Sequence, residues 1–328
     1  MPTTEDAGSD FTRRRAAALL SAAARDLADR GASADDLFPR HLTAVPADLA
    51  AAVRAAIARP DPTAGWSVSC GLLAGFPDPG PTPESWRKAG AHDTAQLDIA
   101  IALIAASLGR VFGWAGQQDG RLVHNIVPSP GDENLQVGSS SLTELAWHCE
   151  DSFHPRRAEL LLLVCVRDDD ELGSRVSSVR RAELSEPEIA LLSAPSAVIV
   201  PDDSYPADWA GDDVRTATVW ASPDGLCIRY DPAYTRFPEP SAELAAAYRR
   251  LGEELDRCAE TVALGQGDVL LIDNDVAVHG RLPFKPRYDG TDRWLKRTMV
   301  RLPRQRPESG KGGFGQRLIE PQPAEGAR

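Results

Sequence analysis

Trp147-His148-Cys149-Glu150-Asp151-Ser152-Phe153-His154-Pro155 sets an imidazole and a carboxylate two residues apart. In an extended strand, residues i and i+2 share a face. His148 and Glu150 therefore reach toward one point, while Cys149 turns to the opposite face. Far downstream, Val276-Ala277-Val278-His279-Gly280-Arg281 offers a second imidazole. Two histidines and one carboxylate make the facial triad that holds non-haem Fe(II) and leaves positions open. Open positions matter because a co-substrate and dioxygen must both reach the metal.

A lone His-x-Glu is weak evidence, so the surroundings decide. Gly267-Asp268 opens an apolar strand, Asn274-Asp275 makes a turn, and His279 follows at the start of a returning strand. Arg293 lies fourteen residues beyond His279, and Arg297 four beyond that. An arginine beside a metal can clamp a carboxylate with two parallel hydrogen bonds.

Outward from this stretch the chain reads as many short strands. Glu159-Leu-Leu-Leu-Leu-Val-Cys-Val166 is a continuous apolar run, as a strand buried on both faces requires. Further strands are predicted over 121–127, 197–200, 216–220, 226–230, 268–272 and 296–302. Turn residues separate them, which suggests a sandwich or jelly roll. A helix is predicted from Ser241 to Val262, with Leu244, Tyr248, Leu251, Leu255 and Cys258 at helical spacing. Before residue 110 the pattern is helical, over 11–30, 46–58 and 94–108. The stretch 305–328 is rich in Pro, Gly and charge and is expected to be a flexible tail.

Composition narrows the function. The 328 residues carry 48 acidic against 36 basic side chains, a net charge of -12. That argues against a nucleic-acid binder and against anchoring on an anionic membrane. Five cysteines without a CxxC pair read as free thiols in a reducing compartment. Arg13-Arg14-Arg15 leads into an Ala/Leu run too broken by charge to be a signal sequence, and no apolar stretch reaches the roughly 20 residues that span a bilayer. A soluble, cytoplasmic protein is expected.

The quoted stretches carry a specific likeness. The chain resembles the clavaminate synthase-like family of Fe(II)/2-oxoglutarate oxygenases, and within it the β-hydroxylases of free arginine and asparagine. The family's run His-Thr-Glu-Asp-Ala-Phe-His-Pro, with an apolar strand ending Cys-Leu-Arg, is nearly repeated by His148-Cys-Glu-Asp-Ser-Phe-His-Pro155 and Leu160 to Cys165-Val166-Arg167. A second block, Val278-His-Gly-Arg-Leu-Pro-Phe-Lys-Pro-Arg-Tyr-Asp-Gly-Thr-Asp-Arg-Trp-Leu-Lys-Arg297, matches as closely. The likeness covers about residues 110–302, and the first 100 residues carry little of it.

The resemblance implies an α+β fold with a double-stranded β-helix (jelly-roll, cupin-like) core and flanking helices. No linker or composition break divides the chain, so one oxygenase domain is expected over 1–304, helical to about 110 and jelly roll from about 111. By the same resemblance His148, Glu150 and His279 are the Fe(II) ligands, and Arg293 binds the distal carboxylate of 2-oxoglutarate. A hydroxyl from Ser177 or Ser178 assists it, where the family has Thr. Arg297 takes the α-carboxylate of the amino acid, Gln117 or Gln118 meets the α-amine, and Glu150 counts among the substrate-binding residues as well. Asp231 stands where arginine hydroxylases face the guanidinium, and their second acid, two residues on, is Ala233 here. The implied reaction consumes O2 and 2-oxoglutarate, releases succinate, and hydroxylates an unactivated carbon, expected to be Cβ, in specialised metabolism such as antibiotic biosynthesis. Desaturation or ring closure of an unusual amino acid is the alternative within the family. Outside it stand a zinc hydrolase on the same triad and a non-catalytic binding protein.

Other residues have plainer readings. His154 reads as structural, bonding a backbone group. His41, His92 and His124 have no partner in view. Cys149 reads as packing behind the metal strand, and Arg281 as a solvated charge. Asp151 is either a partner of a ligand histidine or a turn carboxylate. Asp231 could simply end a strand before Pro232. The Pro- and Asp-rich stretch 201–213 reads as a lid.

Overall fold

The computed structural model describes residues 4–90, 94–205, 214–307 and 318–319. Its main helices are α1 (Thr4–Asp29), α2 (Ala47–Ala56), α3 (Ala95–Leu108), α4 (Glu186–Ser193) and α5 (Ala242–Arg257). Its strands run β1 (Trp66–Ser69), β2 (Arg110–Trp114), β3 (Val123–Ile126), β4 (Leu145–His148), β5 (Leu160–Arg167), β6 (Ser174–Ser178), β7 (Ala197–Ile199), β8 (Arg215–Thr216), β9 (Val219–Ser222), β10 (Gly225–Ile228), β11 (Thr235–Arg236), β12 (Glu260–Val262), β13 (Val269–Asp273), β14 (Ala277–Arg281), β15 (Trp294–Arg301) and β16 (Leu318–Ile319).

The apolar run of β5 explains the layering. Leu160, Leu162, Val164 and Val166 belong to one apolar cluster with Ile101 and Leu103 of α3 and Leu20 of α1. Leu161, Leu163 and Cys165 pack with Val176 of β6 and Ala277 of β14. One face thus meets the helices and the other the inside of a sandwich, so every residue from Leu160 to Val166 is buried. β13 alternates the same way: Val269 and Leu271 face the helices, Leu270 and Ile272 the interior. The larger antiparallel sheet runs β1-β13-β5-β15-β2-β16, with β3 also on β15. The smaller sheet runs β12-β6-β14-β4. Its outer face is covered by α4 and α5, where Leu244, Ala247, Leu251 and Leu255 form the apolar stripe of α5 and receive Val278 of β14. The architecture is the expected double-stranded β-helix with flanking helices.

Several predicted boundaries move. The helix expected to run to Val262 stops at Arg257, and Glu260–Val262 pair with β6 instead. Thr261 and Val262 are β-branched and prefer that ladder. The strand expected over 216–220 splits into β8 and β9, because the Thr218 amide donates to Leu192 O rather than to a ladder. α1 begins earlier than expected, at Thr4, and β1, β2, β6 and α4 were not anticipated. The expected tail falls mostly outside the described residues. Its beginning is held: the buried Asp275 accepts from Arg306 Nε, and Ala158 O from its Nη2.

Candidate active site

β14 pairs antiparallel with β4, and His279 stands directly opposite His148. Their ring centroids are 4.2 Å apart. Glu150 lies just past the end of β4, and Asn274 fixes it there: Glu150 N donates to Asn274 Oδ1 (2.8 Å) and Asn274 Nδ2 donates to Glu150 O (3.0 Å). His279 Nε2 then lies 3.5 Å from Glu150 Oε2. Candidate ligand atoms of His148, Glu150 and His279 all fall within 4.8 Å of one another. Gly280 permits the approach of the strands, since a Cβ there would meet Leu145 O at 2.6 Å. His279 sits in the middle of β14, not at its start.

The electrostatics suit a cation. His148 Nδ1 lies 2.9 Å from Ala146 O, so it carries the proton and leaves Nε2 as a lone pair. Burial, with His279 adding, lowers the His148 pKa to about 4, so the ring is neutral near pH 7. Burial alone would raise Glu150, but Arg297 and His279 outweigh it and hold the carboxylate below its ordinary range. Glu150 Oε2 is buried and accepts no hydrogen bond. A buried carboxylate oxygen that faces two imidazoles and has no hydrogen-bond partner is costly unless a cation joins it, and an N/N/O set with open positions fits Fe(II).

The arginines follow on β15. Arg297 Nη1 donates to Glu150 Oε1 (2.6 Å), and Nη2 lies 3.3 Å from Gln117 Oε1 and 2.8 Å from His124 Nδ1. Gln117 also donates to Asp151 (3.3 Å), whereas Gln118 spends its amide on the backbone N and O of Asn125. Both glutamines line the cleft, and Gln117 is the one whose side chain meets Arg297. His124, which had no partner in view from sequence, is buried beside Arg297.

Arg293 is buried, and Nη2 donates to Gly173 O (2.9 Å) and Ser174 Oγ (2.8 Å). Its Nε lies 3.5 Å from Asp168 and has no hydrogen-bond partner. Ser177 and Ser178, expected beside Arg293, are turned away: their hydroxyls donate to Leu255 O and Thr63 O, both at 2.6 Å. Ser177 is one step off the inward face of β6, and Ser178 ends the strand. The hydroxyl at Arg293 belongs to Ser174. Arg281 also departs from expectation. It shares the inward face of β14 with His279, is buried, and donates to Ser140 Oγ and Thr143 O (both 3.1 Å).

A cleft of about 300 Å³ joins these groups. Asp231 and Asp202 line it as well. Burial, then the charge of Asp202, pushes Asp231 up to about 7; burial pushes Asp202 up to about 6. Asp202 was missed because nothing local distinguishes it from its neighbour Asp203. Asp151 has backbone φ +51°, and its carboxylate bonds Trp114 Nε1 (2.6 Å), Gln117 and the Tyr205 hydroxyl. It is neither a plain turn acid nor a partner of a ligand histidine; it ties the metal turn to its neighbours. His154 accepts from Arg156 N (3.0 Å), and Cys149 packs in the outer core with its thiol raised to about 11 by burial. The lid expected over 201–213 lies outside the described residues beyond Tyr205, as does His92.

Comparison with known proteins decides the family. The model of the taurine catabolism dioxygenase TauD, TfdA family matches residues 101–299, more than half of the chain. The chain belongs to this family. It is 35% identical over 246 residues to an L-ornithine/L-arginine 3-hydroxylase of Catenulispora acidiphila, covering 67% of this chain and 72% of that one. To the L-asparagine oxygenase of Streptomyces coelicolor it is 37% identical over 241 residues, 70% of each chain. Its fold is similar to the crystal structure of the non-heme iron oxygenase OrfP in complex with Fe and alpha-ketoglutaric acid, with TM-score 0.73 and 35% identity over 88% of this chain and 92% of that one. Coverage that wide extends the likeness into the first 100 residues. The enzyme is thus an Fe(II)/2-oxoglutarate-dependent dioxygenase on a cupin-like jelly roll, and the zinc-hydrolase and binding-protein alternatives give way.

Proposed function

We propose that this enzyme hydroxylates a free L-amino acid with a cationic side chain, L-arginine first, at Cβ. The observation that carries the reading is a pair of acids, Asp231 and Asp202, on the same cleft as the triad. Among the described residues neither forms a salt bridge with a basic side chain. Two carboxyls raised by burial, Asp231 further by the charge of Asp202, invite a cation. Asp202 supplies the second acid that Ala233 lacks. Relatives named for ornithine, arginine and asparagine support a free amino acid as substrate.

In this reading His148, Glu150 and His279 hold the iron, which with 2-oxoglutarate supplies the oxidising power for C–H cleavage. Arg293, backed by Ser174, seats the distal carboxylate of 2-oxoglutarate. Arg297 takes the substrate α-carboxylate, while Gln117 and Glu150 receive the α-amine. Asp231 and Asp202 fix the far end. Held at both ends, the substrate presents one C–H bond to the metal face, so the protein contributes positioning rather than acid–base work.

Residues 1–304 act as one oxygenase domain, which the packing of α3 on the larger sheet and of α1 on α3 supports. A net charge of -12 supports a small-molecule substrate rather than nucleic acid or an anionic membrane. No described helix is long and apolar enough to cross a membrane, consistent with action in the cytoplasm.

A panel of L-arginine, L-ornithine, L-lysine and L-asparagine tests the reading, with succinate and product mass recorded. Arginine should give a product heavier by about 16 mass units, one oxygen atom gained on hydroxylation. Preference for asparagine would overturn the cationic assignment, and a loss of about 2 units, two hydrogens, would mean desaturation or ring closure.

A further inference from the structure

We propose that His124 is a positioning residue that sets the direction of the Arg297 guanidinium and, through it, the seat of the substrate carboxylate. The inference rests on the reading above, in which Arg297 takes that carboxylate.

Position comes first. β3 pairs with β15, and His124 stands directly opposite Arg297 in the register. Cross-strand partners place their side chains within reach of each other. The His124 ring is held from behind, with Nε2 3.0 Å from Arg121 O. A carbonyl can only accept, so Nε2 carries the proton and Nδ1 is an acceptor. That acceptor lies 2.8 Å from Arg297 Nη2. Burial and the charge of Arg297 lower His124 to about 3, which keeps Nδ1 free of a proton near neutral pH.

The consequence concerns Arg297. A guanidinium on a long stem has several rotamers, and its strongest local partner is Glu150, 2.6 Å from Nη1. Drawn fully onto Glu150, it would compete with the metal for that carboxylate and turn its fork from the cleft. His124 and Gln117 both pull on Nη2, so the fork is divided between Glu150 and the β3 side. Arg297 lines the cleft in that orientation. Plain packing would not need a ring whose tautomer is fixed by one backbone carbonyl and whose sole acceptor is aimed at this guanidinium.

The test compares acceptor position. Asn puts an amide oxygen where Nδ1 stands, Gln where Nε2 stands, and Phe keeps the ring without an acceptor. With L-arginine, 2-oxoglutarate and Fe(II), His124→Phe should raise the KM for arginine about tenfold, as loss of one hydrogen bond to a charged group implies. It should leave the 2-oxoglutarate KM within about twofold and release more succinate per hydroxylated product, because a misplaced substrate is uncoupled from the oxidant. His124→Asn should restore most of the loss, and His124→Gln should behave like Phe. Anaerobic calorimetry of L-arginine binding should give the same order, independent of turnover. In an Arg297→Ala background His124→Phe should add nothing further.

Equal impairment of Asn, Gln and Phe variants, or a wild-type KM in His124→Phe, would overturn the proposal. If His124→Phe fails to fold, the Asn against Gln comparison decides alone. An Arg297→Ala enzyme with wild-type arginine affinity would instead overturn the underlying reading of Arg297, a distinguishable failure.

Discussion

At the scale of single residues, the acids at the far end of the cleft make a prediction with a definite sign. Asp231 is raised to about 7 and Asp202 to about 6. Only their ionised forms hold a guanidinium, so the KM for L-arginine should rise as pH falls from 8 to 6, and Asp231→Asn should flatten the profile. Linkage runs the other way for stability. A carboxyl whose pKa is raised in the fold disfavours the folded state above that pKa, and the penalty fades as pH falls toward the unfolded value. Substrate-free Asp231→Asn should therefore be no less stable than wild type above about pH 7, as thermal unfolding would measure; a clear loss would mean that Asp231 serves structure. At the other end, Arg293→Ala should raise the 2-oxoglutarate KM at least tenfold and Ser174→Ala by several-fold, as loss of charged and neutral hydrogen bonds respectively implies. Ser177→Ala should leave that KM unchanged, and a rise there would restore the serine that sequence suggested. The triad was legible because its residues sit in short contiguous motifs. Ser174 was not: two nearby serines of the same strand compete for the role, and only strand parity and the end of β6 separate them.

Among the elements, the contact between β4 and β14 sets the metal geometry. Gly280 lets the strands close, with only 2.6 Å from its missing Cβ to Leu145 O. Gly280→Ala should destabilise the protein by about 1–3 kcal/mol, the usual range for overpacking, and weaken iron binding because the opposed histidines move apart. Wild-type melting and iron affinity in that variant would show that the strands tolerate the spacing. The same strand shows why some elements were readable and others not. β5 and β13 announced themselves through unbroken apolar runs, a consequence of being covered on both faces. β6, Ser-Arg-Val-Ser-Ser, carries little apolar signal because Ser177 on its outward side bonds the α5 backbone and Ser174 on its inward side lines the polar cleft, which leaves Val176 as its one apolar core residue. β12 was absorbed into the preceding helix for a related reason, since Cys258 continues the α5 spacing and only the tertiary edge of β6 turns the chain into a strand. Arg281 was misread for want of the strand around it: once β14 is extended through 277–281, parity with His279 sends its side chain inward.

The whole molecule is a sandwich with unlike covers. α1–α3 shield the larger sheet and α4 and α5 the smaller, which leaves the end of the barrel at β4 and β14 as the opening. The fold class was readable from the strand-rich part, whereas the helical first third gave composition but no motif, because its work is to cover a sheet face with any well-packed apolar stripe. The central claim is that this scaffold couples 2-oxoglutarate turnover to hydroxylation of a free cationic amino acid. The direct measurement is oxygen uptake, succinate and product mass in one reaction of purified enzyme with Fe(II), 2-oxoglutarate and L-arginine, beside the His279→Ala variant. Wild type should yield succinate and mono-hydroxylated arginine in equal amounts, and His279→Ala neither. Succinate without hydroxylated amino acid across the cationic panel, or unchanged turnover in His279→Ala, would contradict it.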